Sequence, residues 1–114
     1  MTRKAPQAPK RIAQREEALC EALVLLTTTE EAQRFLVDLC TPAELRALAD
    51  RWYVARLVAR DQPYREIQAQ TGVSTATVTR VARALRYGEG GYRRMLEKVT
   101  PPDRPRGRRG KPNA

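Results

Sequence analysis

Histidine is absent from this 114-residue sequence. The side chain most often used for acid–base catalysis and metal ligation is therefore missing. The two cysteines, Cys20 and Cys40, stand in apolar surroundings, EALCEAL and VDLCTP, and read as buried, reduced thiols. Their spacing makes no metal-ligand cluster. There is no Gly-rich phosphate loop and no recognisable carboxylate pair, so the chain does not read as an enzyme, and no metal is expected. Aromatic residues make up only 5% of the sequence, so a core must be built from Leu, Val and Ala. That composition suits helices packed on helices. No apolar run approaches the roughly 20 residues needed to cross a bilayer. The basic start, MTRKAPQAPKR, is not followed by an apolar stretch of signal-peptide type. A cytoplasmic protein with no membrane partner is the expectation.

What is abundant is positive charge, with a formal net charge of +9. Residues 1–15 carry Arg3, Lys4, Lys10, Arg11 and Arg15 and no acid. Residues 100–114 carry Arg104, Arg106, Arg108, Arg109 and Lys111 against Asp103 alone. Between them, residues 16–99 hold twelve bases and twelve acids. The excess charge thus belongs to the ends, which weakens any argument from net charge alone to nucleic acid. The middle is itself polarised. Residues 16–61 hold five bases and nine acids, whereas residues 62–99 hold seven bases and three acids. Residues 1–9, with two prolines, read as a disordered basic arm, and TPPDRPRGRRGKPNA at 100–114 as a disordered basic tail. Residues 10–99 remain as one helical domain.

Six helical stretches are predicted in that domain. The first spans about Lys10 to Leu26, with Ile12, Leu19, Leu23 and Leu26 on one stripe. The second starts near Thr29 as cap, with Glu30 and Glu31 in its first turn and Ala32, Phe35, Leu36 and Leu39 at helical spacing. The third opens on Thr41-Pro42-Ala43-Glu44, which places a capping threonine, a proline at the first helical position and a glutamate able to complete a capping box. Leu45, Leu48, Ala49, Trp52, Ala55 and Ala59 form its apolar face, and Pro63 requires it to end near Arg60 or Asp61. The fourth runs from Pro63 to Gln70 with Tyr64 and Ile67 as anchors. The fifth runs from a Ser74 cap to about Arg86, and the sixth from about Gly91 to Val99. Phe35 and Trp52 are the expected core anchors.

The fourth and fifth stretches make a helix-turn-helix: a short helix, a turn Thr71-Gly72-Val73, and a second helix. Ile67, Val73, Val78 and Val81 must meet to fix the angle between the helices, and Gly72 must turn the chain without a Cβ clash. At about 100° per residue, Val78, Val81, Ala82 and Leu85 gather in one arc of the fifth helix. Ala76, Thr79, Arg80 and Arg83 lie opposite, with Thr75 at the edge. Small residues let a backbone approach base edges or a thymine methyl, and arginines bind guanine or phosphate. Ser74, Thr75 and Thr77 add hydroxyls and free N–H groups at the helix start, a natural phosphate site.

The segments LCTPAELRALADRW, YREIQAQTGVSTATVTRVARAL and YGEGGYRRMLEK carry a family resemblance over about Leu19 to Leu96. The chain resembles the Trp-repressor superfamily, and within it the YerC/YecD-type branch. The resemblance implies an all-α, six-helix fold, an intertwined homodimer, and a fifth helix in the DNA major groove. It puts groove positions at Arg65, Gln68, Thr75, Ala76, Thr77 and Thr79. Gln68 replaces a basic residue of the family, at a place where helix-turn-helix motifs use alanine. The family's co-repressor arginines resemble Arg51 and Arg80, with Thr41 matching a pocket threonine, while Ala84 replaces a nearby serine. No cofactor is assigned, and tryptophan or another small effector stays open at Thr41, Arg51 and Arg80.

A core of about 85 residues with few aromatics is marginal alone, which independently favours a homodimer. The expectation is a sequence-specific transcriptional regulator of double-stranded DNA, a repressor by operator occupancy. Its rivals are a protein-interaction module with a vestigial motif and a nonspecific nucleic-acid binder driven by the basic ends.

Overall fold

The computed structural model describes residues 8–99, with side chains from Lys10 onward. The tail expected at 100–114 lies outside the described residues, as does the arm expected at 1–9 apart from the backbone of Ala8 and Pro9. The described chain forms α1 (Ala8–Leu23), α2 (Thr29–Leu39), α3 (Pro42–Ala59), α4 (Tyr64–Thr71), α5 (Thr75–Tyr87) and α6 (Gly91–Val99), with no strand among the described residues. Two compact units divide between Leu45 and Arg46, within α3.

In the first unit, local hydrogen bonds set the helix ends. The first helix stops three residues before the expected Leu26. Its last turn tightens, with Leu25 N donating to Ala22 O (3.1 Å) and Leu26 N to Leu23 O (3.2 Å). Thr27 N then donates to Glu31 Oε1 (2.9 Å), which commits the chain to the next helix. Thr28, not Thr29, is the cap of α2: its Oγ1 accepts from Glu31 N at 3.0 Å. The box at α3 forms as its four residues predict, with Glu44 N donating to Thr41 Oγ1 (3.1 Å) and Thr41 N to Glu44 Oε1 (2.9 Å). No residue of α2 is buried, and α1 from Lys10 to Leu23 is exposed apart from half-buried Ala22. Cys20 is accordingly exposed and Cys40 half-buried, both free thiols; the expected burial of the pair is not what the chain shows. Apolar neighbours in sequence do not by themselves bury a thiol within the single chain.

The second unit holds the core: Val54, Ala55, Leu57, Ile67, Val73, Val78 and Val81, flanked by Trp52, Val58 and Tyr92. Trp52 stacks on Tyr92 with ring centroids 6.4 Å apart, an offset aromatic contact that ties α3 to α6. Leu96 adds a buried side chain from α6. The face of α3 differs from expectation. Val54, Ala55 and Leu57 are buried, whereas Leu48, Ala49 and Ala59 are exposed. Apolar residues run round the whole circumference of α3, so spacing favours no single stripe. The larger Val54 and Leu57 gain more from burial than alanines do.

α3 ends in a Schellman motif. Asp61 N donates to Val58 O (2.9 Å) and Gln62 N to Leu57 O (3.3 Å), around Asp61 in the left-handed region at φ 62°. Aspartate tolerates that conformation better than most residues.

Candidate nucleic-acid interface

The candidate residues stand on α4, the turn after it, and α5. Pro63, extended at φ −62° and ψ 143°, leads into α4, and Ile67 at 0% exposure is its anchor. Tyr64 is 37% exposed and does not anchor the helix. Gly72 takes the left-handed conformation at φ 76°, ψ 5°, and its N–H donates to Gln68 O at 2.8 Å. A Cβ there meets no atom within 4 Å, so glycine is required by the backbone angle and not by a close approach. Val73 then drops into the core.

Ser74 caps α5: its Oγ accepts from Thr77 N (3.2 Å) and donates to Thr77 Oγ1 (3.1 Å). Val78, Val81 and Ala82 are buried below, and Leu85 is half-buried. Thr75, Ala76, Thr79, Arg80 and Arg83 are exposed, as are Arg65 and Gln68 on α4. Ser74 is exposed as well, but its hydroxyl is engaged in the cap. Thr77 is half-buried and receives the Ser74 hydroxyl. These two residues therefore shape the helix start, while the other seven offer side chains to solvent. The motif pattern did not distinguish these two roles, nor did it single out Thr71, whose hydroxyl donates to Ile67 O (2.7 Å) and accepts from Val73 N (3.0 Å). A threonine directly before the turn glycine was the available signal.

Residues 14–100 match the Trp repressor protein family. The chain belongs to this family. It is 41% identical over 83 residues to the uncharacterised protein YerC of Bacillus subtilis (strain 168), spanning 73% of this chain and 80% of YerC. A TrpR-like protein from Eubacterium eligens shares the fold with a TM-score of 0.71 at 40% identity, covering 75% of this chain and 89% of that one. A proposed Trp repressor from Staphylococcus aureus gives a TM-score of 0.72 at 34% identity, covering 75% and 86% respectively. The six helices are thus a Trp-repressor-like fold.

The effector positions that the family resemblance implies lie just before α3 (Thr41), within α3 (Arg51) and on α5 (Arg80). Thr41 has both its hydroxyl and its N–H engaged with Glu44 in the α3 capping box. Arg51 is half-buried on α3, and Arg80 is exposed on α5. Among the described residues no group of three or more Cys, Asp or Glu is arranged to hold a metal. None of the described helices is long and apolar enough to cross a membrane.

Proposed function

We propose that this Trp-repressor-family protein is a sequence-specific DNA-binding transcriptional regulator, a repressor that occupies its operator as a homodimer. The observation that carries the reading is the outer face of α5. Thr75, Ala76, Thr79, Arg80 and Arg83 are all exposed on a helix whose opposite side is fixed by buried Val78, Val81 and Ala82. Small side chains at the helix start allow the backbone to approach a major groove, and the arginines reach base edges or phosphates. Arg65 and Gln68 flank that face from α4.

The dimer is supported by the apolar surface the single chain leaves open. Among the described residues, every buried apolar side chain lies between Val54 and Leu96, while Ile12, Leu19 and Leu23 are exposed along α1 and Val37 and Leu39 along α2. A second copy of the chain would cover these stripes and set two reading helices about 34 Å apart, one helical turn of DNA. Changing Leu19 and Leu23 together to glutamate is expected to convert dimer to monomer in sedimentation equilibrium. Each covered leucine contributes about 1.5–3 kcal/mol, and the introduced charges resist burial. A variant that still sediments as a dimer would place the interface elsewhere.

Selection from random duplex DNA tests the whole reading. The expected product is a palindromic consensus, because a two-fold dimer reads two half-sites. Recovery of no preferred sequence would reject specific recognition in favour of a nonspecific binder or a protein-interaction module. Repeating the selection with tryptophan tests an effector role for Thr41, Arg51 and Arg80. The basic tail makes a further prediction. Deleting residues 100–114 should flatten the salt dependence of operator affinity, by a slope of about 0.9 for each phosphate the tail neutralises, without changing the preferred site. An unchanged slope would show that the tail neutralises no phosphate.

A further inference from the structure

Among the described residues, two helices end on a left-handed residue, and they are closed in different ways. At the end of α3 the backbone closes itself: Gln62 N, one residue past left-handed Asp61, donates to Leu57 O at 3.3 Å. At the end of α4 the equivalent backbone bond is not made. Gly72 N donates to Gln68 O, the single bond of the simpler left-handed cap. Val73 N, one residue further on, instead donates to Thr71 Oγ1 at 3.0 Å.

We propose that Thr71 is a positioning residue for DNA reading, its hydroxyl fixing how α5 leaves α4. This rests on the DNA-reading function proposed above. One hydroxyl has one donor and two acceptor sites. Thr71 spends its donor on Ile67 O at 2.7 Å and an acceptor site on Val73 N. Ile67 is fully buried and Val73 is 8% exposed, so both bonds tie the Thr71 hydroxyl to residues anchored in the core. Ser74 follows at once, and its hydroxyl closes the first turn of α5 through Thr77 N and Thr77 Oγ1. A continuous series of side-chain bonds thus runs from the last turn of α4 through the turn to the first turn of α5. Of the exposed residues at stake, Thr75 and Ala76 lie within the turn that Ser74 and Thr77 close, and Thr79 stands just beyond it. Base edges are read at hydrogen-bond tolerance, so a small rotation of α5 weakens base reading before it weakens phosphate attraction, which tolerates displacement.

Valine has the shape of threonine without the hydroxyl. Thr71→Val removes both bonds and leaves Val73 N–H without its partner, whereas Thr71→Ser keeps them. The test uses the full chain, the selected operator duplex and an unrelated duplex of equal length, with affinities from fluorescence anisotropy. Thr71→Val is expected to lose about tenfold in operator affinity, with unrelated-duplex affinity within about twofold of wild type. Thr71→Ser is expected to restore operator affinity. In the unmodified protein, the Val73 amide should be protected from hydrogen exchange by NMR, a readout independent of how any variant folds. An unchanged ratio of operator to unrelated affinity in Thr71→Val would overturn the proposal. Equal loss on both duplexes would do so as well, since it marks a merely structural role, and so would rapid exchange of the Val73 amide. If the unmodified protein itself shows no operator preference, the DNA-reading function has failed, and Val73 protection then reports separately whether the clamp exists.

Discussion

Replacing Arg80 and Arg83 together by alanine is expected to cut operator affinity about a thousandfold while the protein stays folded. Each arginine that pairs with a base edge contributes about 1–3 kcal/mol of discrimination. A dimer on a palindrome gives up two arginine contacts in each half-site, whether to a base or to a phosphate, so about 1 kcal/mol for each already sums to about 4 kcal/mol. The fold should survive because both side chains are exposed, opposite the buried Val78 and Val81. Arginine and alanine are also both strong helix formers, so α5 keeps its own preference. Circular dichroism should therefore show unchanged helicity beside the weakened binding. Operator affinity within a factor of two of wild type would remove α5 as the reading helix.

The two single variants separate base reading from phosphate holding. If one arginine touches a base, its removal relaxes preference at one operator position and leaves the salt slope nearly unchanged. If it touches phosphate, all duplexes weaken alike and the slope falls by about 0.9 for each phosphate released. Arg83 lies about a full helical turn beyond Thr79, towards the helix end. Ala76 and Thr79 occupy the part nearest the cap, where a groove-bound helix comes closest to bases. The arrangement favours base contacts from the start of α5 and phosphate contacts from Arg83. The slope of Arg83→Ala is the sharper measurement.

The parts of this architecture that were legible in the sequence are those written in local chemistry. Thr41-Pro42-Ala43-Glu44 starts α3 where the pattern requires, and Gly72 and Ser74 bracket the turn as expected. These signals depend on hydrogen bonds within four residues, so no distant partner can alter them. The apolar arc of α5 was equally clear, because Val78, Val81 and Leu85 are β-branched or large and the outer face is polar or small, and Val78, Val81 and Ala82 are buried there. α3 was not legible in the same way. Leu48 and Leu57 have the same side chain, and only the tertiary partners decide that Leu57 is buried and Leu48 exposed. The exposed Cys20 has the same cause, since apolar neighbours in sequence cannot report whether another element covers them. Thr77 was ambiguous for a different reason. A hydroxyl near a helix end serves DNA and backbone equally well on paper, and in the structure the Thr77 hydroxyl accepts from Ser74 at the cap.

The unequal leucines of α3 give the second large prediction. Leu57 is 2% exposed and lies in the core with Ile67, Val78 and Val81. Leu57→Ala removes buried methyl groups and leaves a cavity, at a cost of about 2–5 kcal/mol. A small domain has only about 5–15 kcal/mol in total, so the melting midpoint should fall by about 10–30 °C. DNA binding should fail with it, because α4 and α5 take their relative angle from this core. Leu48 is 42% exposed in the single chain, so Leu48→Ala removes little packing within it. Any larger loss at Leu48 must come from a second copy, and mass action then makes it depend on protein concentration. Melting both variants across a hundredfold range of concentration separates the two cases. The Leu57→Ala deficit should hold constant relative to the unmodified protein, and a Leu48→Ala deficit should shrink as concentration rises. Equal, concentration-independent deficits would mean that α3 buries both sides within one chain, and the case for a dimer would then rest on α1 and α2 alone.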